Sequence, residues 1–211
     1  KTEWLDRRLR VNGSVFFYKV DGYHQKVVNQ FGQELLAPAD DVEFRGFEIE
    51  ARAVPVPHLV LELAAGWSEG EYKDFLSPND TGGFDQLAGK TVPYTDRWDV
   101  SAKASYAWTT PQGGLLEPMF EYSYLQGAFS EETNTPKDVT LAPEAKTDDI
   151  HLVNLRLFYT LPGDQLRLGV FVNNVFEEDG VLRRTPLDIF GNSLSVYAAP
   201  RTVGVSIGAS F

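Results

Sequence analysis

The sequence predicts an all-β fold, an antiparallel transmembrane β-barrel of about eight strands, and three observations carry that prediction. Segments of alternating apolar and polar residues recur along the chain. Successive strand residues point to opposite faces, so each segment has one apolar and one polar face. The segments run for about ten to thirteen residues, against roughly five or six for an average soluble strand and about 9–11 for a strand that crosses a bilayer. The connections between them alternate between tight turns and long polar stretches, the two-rim pattern of outer-membrane barrels.

The first strand is expected around Arg8 to Val20. It has Leu9, Val11, Val15 and Phe17 on one face and Arg8, Arg10, Asn12 and Ser14 on the other, where Phe16 and Tyr18 break the polar run. The second, Glu43 to Ala53, sets Phe47, Ile49, Ala51 and Ala53 against Gly46, Glu48, Glu50 and Arg52. The third, His58 to Trp67, sets Leu59, Leu61, Leu63, Ala65 and Trp67 against Glu62, Ala64, Gly66 and Ser68. The fourth is the cleanest internal case, with Trp98, Val100, Ala102, Ala104, Tyr106 and Trp108 opposite Asp99, Ser101, Lys103 and Ser105.

The fifth, near Leu116 to Tyr124, sets Leu116, Pro118, Phe120, Tyr122 and Tyr124 against Glu117, Met119, Glu121 and Ser123. The sixth, about Ile150 to Thr160, points Val153, Leu155, Leu157 and Tyr159 outward and Asn154 and Arg156 inward. The seventh, Gln165 to Phe176, points Leu166, Leu168, Val170 and Val172 outward, with Arg167, Gly169, Asn173 and Phe171 opposite. The eighth runs to the last residue, with Val203, Val205, Ile207, Ala209 and Phe211 facing away from Thr202, Gly204, Ser206, Gly208 and Ser210. Apolar residues recur at i+2 rather than at i+3 and i+4, which rejects helices. Gly, Thr, Val, Tyr and Phe also suit strands better than helix interiors.

Pro55-Val56-Pro57, Pro111-Gln112-Gly113-Gly114 and Pro162-Gly163-Asp164 signal tight turns. Between them lie long polar stretches at about Asn29 to Asp41, Phe75 to Pro93, Ser130 to Asp148 and Glu177 to Pro200. Eight strands in this order bring Lys1 and Phe211 to the short-turn, periplasmic side. Trp67, Tyr72, Tyr94, Trp98, Trp108, Tyr122, Tyr124, Tyr159 and Tyr197 fall near the ends of apolar stripes, as aromatic girdles at the two membrane interfaces require. A soluble sandwich also alternates. The strand lengths, the scarcity of charge in mid-stripe and the two-rim connections favour the membrane.

Composition narrows the function. No apolar run approaches the roughly 18 residues of a spanning helix, and mean hydropathy is −0.25. Barrels dilute that average, because alternate residues face the lumen. The chain has no cysteine, which excludes a disulfide scaffold, thiolate metal sites and a cysteine nucleophile. A formal charge of −11 leaves no basic footprint for nucleic acid. The start, Lys1-Thr2-Glu3-Trp4, has no signal-peptide pattern and enters strand-like sequence at once, so the expectation is a fragment of a longer protein.

Four motifs, in order, resemble those of the carboxy-terminal part of a TonB-dependent outer-membrane receptor. They are Leu9-Arg10-Val11-Asn12-Gly13-Ser14-Val15-Phe16-Phe17-Tyr18, Phe44-Arg45-Gly46-Phe47-Glu48-Ile49-Glu50-Ala51, Val170-Phe171-Val172-Asn173-Asn174-Val175-Phe176-Glu177-Glu178, and the closing Ala199-Pro200-Arg201-Thr202-Val203-Gly204-Val205 with terminal Phe211. The resemblance implies a barrel of about 22 strands with a plugged lumen, of which residues 1–211 are the last eight strands without the plug. It also implies nutrient uptake of an iron–siderophore, a vitamin or an oligosaccharide. The implied partners are TonB through the missing amino-terminal part, membrane lipid and lipopolysaccharide, and the barrel-assembly machinery with Phe211 as its signal. The implied location is the outer membrane of a Gram-negative bacterium.

No catalytic residue, metal ligand, cofactor or ligand-binding residue is assigned. H-E-x-x-H, G-x-S-x-G and phosphate-loop patterns do not occur. His24, His58 and His151 sit on different segments. Glu48 with Glu50 and Glu117 with Glu121 place carboxylates on lumen faces. Paired carboxylates can do acid–base work, but a salt-bridged lumen with Arg45, Arg52, Lys103, Arg156 and Arg167 fits better. The lumen-facing polar residues expected are Glu48, Glu50, Arg52, Lys103, Glu121, Arg156 and Arg167. Pro78-Asn79-Asp80-Thr81-Gly82-Gly83 offers oxygen ligands without calcium-loop spacing. The acidic stretch from Glu131-Glu132 to Asp148-Asp149 reads as solvated surface able to attract divalent cations that bridge lipopolysaccharide. The competing functions are a self-contained eight-stranded barrel acting as anchor or small conduit, a soluble β domain and, more distantly, a barrel enzyme. Many Gly, Ser and Ala on the polar faces argue against a filled small barrel and for a wide one.

Overall fold

A computed structural model of the chain describes residues 2–28, 31, 33–79, 81–95, 97–134, 146–187 and 192–209. Alternation over these residues yields strands and no helix. In chain order the strands are β1 (Thr2–Trp4), β2 (Leu9–Val28), β3 (Glu34–Ala53), β4 (Leu59–Asp74), β5 (Leu76–Pro78), β6 (Phe84–Gln86) and β7 (Arg97–Tyr106). They continue with β8 (Trp108–Thr109), β9 (Leu115–Leu125), β10 (Ile150–Thr160), β11 (Leu166–Asn173), β12 (Val181–Leu187), β13 (Asn192–Tyr197) and β14 (Thr202–Ala209). One antiparallel sheet runs β1-β2-β3-β4-β7-β9-β10-β11-β14, with β8 beside β9. Each strand pairs with the next long strand in sequence, the meander that short turns and returning loops permit. The sheet is not closed, since no ladder joins β14 to β1 or β2 among the described residues.

The eight long strands of this sheet are the eight segments the alternation marks out. Two lengths differ. β2 and β3 are each 20 residues, because their ladder continues from Leu9↔Ala53 to Val28↔Glu34. The stretch from Asn29 to Asp41 is therefore mostly strand rather than loop. β1 adds a ladder of Thr2, Glu3 and Trp4 on Val11, Arg10 and Leu9, so a strand descends to the short-turn rim ahead of β2. The other polar stretches carry small hairpins, β5–β6 and β12–β13. Ser210 and Phe211, and with them the proposed assembly signal, lie outside the described residues.

Register lines up rows of side chains across the strands. On one face run Leu9–Ala53–Leu61–Ala104–Phe120–Leu155 and Val11–Ala51–Leu63–Ala102–Tyr122–Val153. Higher up, Val15–Phe47–Trp67–Trp98 closes the apolar band, with Phe47 edge-on to Trp98 at 5.3 Å between ring centroids. Above that row the same face becomes charged, first with Arg45 bound to Glu69 and then with Lys73 held by Glu71 at 2.7 Å. From Leu59 to Trp67, β4 thus carries an apolar stripe of the ~9–11 residues a membrane strand needs. The apolar face is exposed, with Leu63 of β4 at 45%, Val205 of β14 at 77% and Val15 of β2 at 85%. Water would penalise such a face and lipid would not.

The aromatics divide. Trp67, Trp98, Trp108, Tyr124 and Tyr159 lie on the apolar face toward its limits, whereas Tyr122 shares the middle row with Leu63 and Ala102. Tyr72 does not belong to a girdle. It is fully buried on the other face, and Tyr94 and Tyr197 stand in the long-loop region.

Above the band the sheet changes side. Gly22 has φ +67°, a conformation open to glycine at little cost, and the ladder skips it between Asp21↔Asp41 and Tyr23↔Ala39. A bulge at Asp41/Val42 offsets β3 against β4. Bulges re-aim side chains. Here Val27, Ala37 and Ala39 join Val42 and Tyr72 in one buried cluster, completed by Phe75, Leu87 and Val92 from the β4–β7 connection. That connection, read in sequence as polar loop, packs into this shared core through Phe75, Leu87 and Val92.

Candidate functional site

The face opposite the apolar band carries the polar residues. Its central row is Arg10–Arg52–Glu62–Lys103–Glu121–Asn154, one residue from each of six neighbouring strands. Opposite charges across a ladder attract and like charges repel, and the row alternates in sign from Arg52 to Glu121. Arg52 meets Glu62 at 3.2 Å, and Arg156 meets Glu121 at 3.1 Å and Asn173 at 3.2 Å. Arg167 meets Glu117 at 3.0 Å and lies 4.3 Å from the Phe158 ring centroid, a cation–π contact. Asn12 donates to Glu50 at 3.4 Å and Ser14 to Glu48 at 3.3 Å. A concavity of about 510 Å³ opens on this face, lined by Arg52, Glu62, Lys103 and Glu121 among others.

Glu48, Glu50, Arg52, Lys103, Glu121, Arg156 and Arg167 therefore share one face. Arg45 does not. It has the opposite parity and pairs with Glu69 above the apolar band, because strand alternation puts neighbouring Arg45 and Gly46 on opposite sides. Glu117 and Glu121 each hold an arginine rather than each other. The three histidines stay apart. His24 is on β2, His58 is in a short turn at φ 71°, and His151 sits between Tyr122 and Tyr124 on the apolar face, 2.9 Å from the Tyr122 hydroxyl.

Asn79 Oδ1 accepts from Thr81 N, Thr81 Oγ1 and Gly83 N, so it closes its own turn. Asp80 lies outside the described residues, as does the middle of the acidic stretch. Glu132 is not solvated surface, being 5% exposed. The long connections tie to one another. Asn134 accepts from Thr91 N at 2.6 Å and donates to Thr91 O at 2.8 Å, and Tyr94 donates its hydroxyl to Arg184 O at 2.5 Å. A crevice of about 330 Å³ at this rim is lined by Tyr23, Lys26, Tyr94, Glu132 and Arg183 among others. Burial pushes the Tyr72 phenol well above its ordinary pKa, so its hydroxyl stays protonated as a donor to Gln25 Oε1 at 2.8 Å.

The alternation pattern does not reveal how the aromatics that interrupt the polar face are housed. Phe16 lies against Gly46, Phe44 against Gly70, Phe158 against Gly169 and Phe171 against Gly204. A Cβ on any of these glycines would come within 3.0 Å of the facing ring. Each ring sits over a strand neighbour that has no side chain, the arrangement that compensates a glycine in a sheet. The signal available in sequence is the coincidence of polar-face aromatics with polar-face glycines, legible only once the register is known.

Comparison with known proteins agrees with this geometry. The family profile described as TonB dependent receptor-like, beta-barrel, matches residues 1–175. The ferric yersiniabactin uptake receptor FyuA from Yersinia pestis superposes with a TM-score of 0.72 at 15% identity, covering 95% of this chain and 27% of that one. The siderophore receptor PiuA from Acinetobacter baumannii gives 0.70 at 13% identity, over 97% and 26%. The pyoverdine outer membrane receptor FpvA from Pseudomonas aeruginosa PAO1, bound to pyoverdine, gives 0.65 at 17% identity, over 99% and 28%. The chain thus spans little more than a quarter of the length of these solved proteins.

Proposed function

This chain belongs to the TonB-dependent receptor β-barrel family, and on that premise we propose that it is the carboxy-terminal barrel wall of a receptor that imports a scarce nutrient. It is a protein of the Gram-negative outer membrane and not an enzyme, as its family and structural neighbours are receptors. The observation that carries the proposal is the two-faced sheet, with an apolar band bounded by the Phe47–Trp67–Trp98 row and a charged, small-residue face opposite it.

The nutrient proposed is a ferric siderophore, in keeping with the ligands named for FyuA, PiuA and FpvA. A vitamin or an oligosaccharide is the remaining choice within the family. The apolar band meets lipid, and the polar face lines the lumen against a plug supplied by the rest of the receptor. Salt bridges such as Arg52–Glu62 and Arg156–Glu121 stiffen that wall and leave it wet. TonB, acting through the rest of the receptor, supplies the energy. The barrel-assembly machinery and lipopolysaccharide are the partners expected on the membrane side.

The test is uptake of radiolabelled ferric siderophores by cells carrying the complete reading frame, with and without TonB. TonB-dependent iron accumulation supports the reading. Accumulation that ignores TonB, or none from any ferric chelate, removes it.

A further inference from the structure

Four aromatic rings form a continuous wall on the polar face, just above the level of the membrane band. Tyr18 stacks on Phe44 with centroids 5.1 Å apart and planes 18° apart. Phe16 flanks Tyr18 at 6.1 Å, and Tyr23 flanks Phe44 at 5.8 Å. This wall is not a girdle, because Phe16, Tyr18 and Phe44 have the parity of Ser14, Glu48 and Ser68 rather than of Phe47 and Trp67, and Tyr23, of the other parity, comes to the same side beyond Gly22 and packs on Phe44. Nor is all of it core. Phe44 and Tyr23 lean on the buried cluster, whereas Tyr18 is 49% exposed.

The neighbouring surface carries small residues. Beside the rings the row continues Gly46–Ser68–Arg97, with Gly66 one row below and Gly70 one row above. A side chain at Gly46 or Gly70 would collide with Phe16 or Phe44, so those glycines are what lets the two rings lie over the neighbouring strands and leaves Tyr18 as the exposed ring of the wall. Strands lie about 4.8 Å apart, so Arg97 on β7 stands roughly 10 Å across the row from the ring over Gly46. Aromatic faces attract other planar rings, preferably offset-stacked, and a guanidinium attracts an acidic oxygen.

We infer that the wall of Phe16, Tyr18, Phe44 and Tyr23, with the glycine–serine floor that ends at Arg97, is a stacking site for a planar aryl group bearing an acidic oxygen. This rests on the uptake reading and deepens it. The imported iron chelate would carry aryl rings, as in a phenolate or catecholate, rather than consist of hydroxamates alone.

The test uses the full-length protein with wild-type Tyr18, Tyr18→Ala and Tyr18→Phe, each checked for native far-UV circular dichroism. The probes are the ferric complex of 2,3-dihydroxybenzoate, a ferric trihydroxamate and iron-free 2,3-dihydroxybenzoate, with affinity read by fluorescence quenching. Both dihydroxybenzoate probes should bind, weaken about tenfold with Tyr18→Ala and keep near-native affinity with Tyr18→Phe, while the trihydroxamate binds poorly. Equal affinity of Tyr18→Ala and wild type for the aryl probes overturns the stacking site and leaves the uptake reading standing. Binding of the iron-free aryl acid with no ferric chelate bound keeps the stacking site and removes iron uptake. Binding of no probe removes both.

Discussion

The Tyr72 hydroxyl donates to Gln25 Oε1 at 2.8 Å, joining β4 to the upper part of β2 across β3. The bond is possible because Gly22 and the bulge at Asp41 turn Gln25 to the side that Tyr72 occupies. It anchors the cluster on which the β4–β7 connection rests.

Two substitutions separate that anchor from its packing. Tyr72→Phe should cost about 1–3 kcal/mol, because it leaves the Gln25 oxygen without its donor. Phe75→Ala should cost about 3–5 kcal/mol, the range for truncating a buried Phe. The cost of Phe75→Ala should appear locally. Hydrogen exchange in residues 75–92 should accelerate in Phe75→Ala while that of β9 and β10 stays unchanged. Uniform acceleration across the sheet would show that the connection is not an independent unit.

A charge placed in the apolar band should be costly by depth. Leu63 lies midway along the β4 stripe from Leu59 to Trp67, so Leu63→Arg should destabilise the protein in lipid vesicles by about 2–4 kcal/mol. Ser101→Arg, on the opposite face of β7, should cost little. Urea titrations in vesicles measure both. Similar losses at the two positions would contradict the assignment of the lipid face.

The glycines under aromatic rings differ in what opposes them. At Gly204 only the Phe171 ring stands close, whereas at Gly46 both the Phe16 ring and the Trp67 carbonyl oxygen do. Gly204→Ala should cost about 1–3 kcal/mol as an overpacked site and recover most of it when combined with Phe171→Leu. Gly46→Ala should not recover with Phe16→Leu, because backbone cannot move aside. Unfolding midpoints of the single and double variants provide the comparison.

The charged row should stabilise weakly. Arg156 and Glu121 retain 28% and 29% of their side-chain exposure, and water-accessible pairs contribute up to about 1 kcal/mol. A double-mutant cycle with Arg156→Gln and Glu121→Gln should return a coupling below about 1 kcal/mol that shrinks in high salt. A larger, salt-insensitive coupling would mean that the pair is effectively dry.

Much of this was written locally. Alternation alone identifies the eight long strands and assigns Leu63 and Glu62, or Val205 and Gly204, to opposite faces, because side-chain direction in a strand follows from the backbone with a period of two. The tight turns at Pro55 and Pro162 and the charge-poor middle of each stripe were legible for the same reason. Arg45 has a charge that suits the polar face and a parity that puts it on the other, and parity decides.

What lies between strands was not legible. That Arg52 meets Glu62, that Phe44 covers Gly70, and that Phe75 and Val92 bury themselves against Val42 depend on register and on long-range closure, which no single segment encodes. The change of side at Gly22 depends on one positive φ and one bulge, and neither disturbs the composition of the sequence around them. The sequence by itself determined the membrane-facing stripe, since lipid acts on one residue at a time. Only the tertiary structure decided the aromatic wall and the docked connection, since those arise where residues from different strands are brought to the same height.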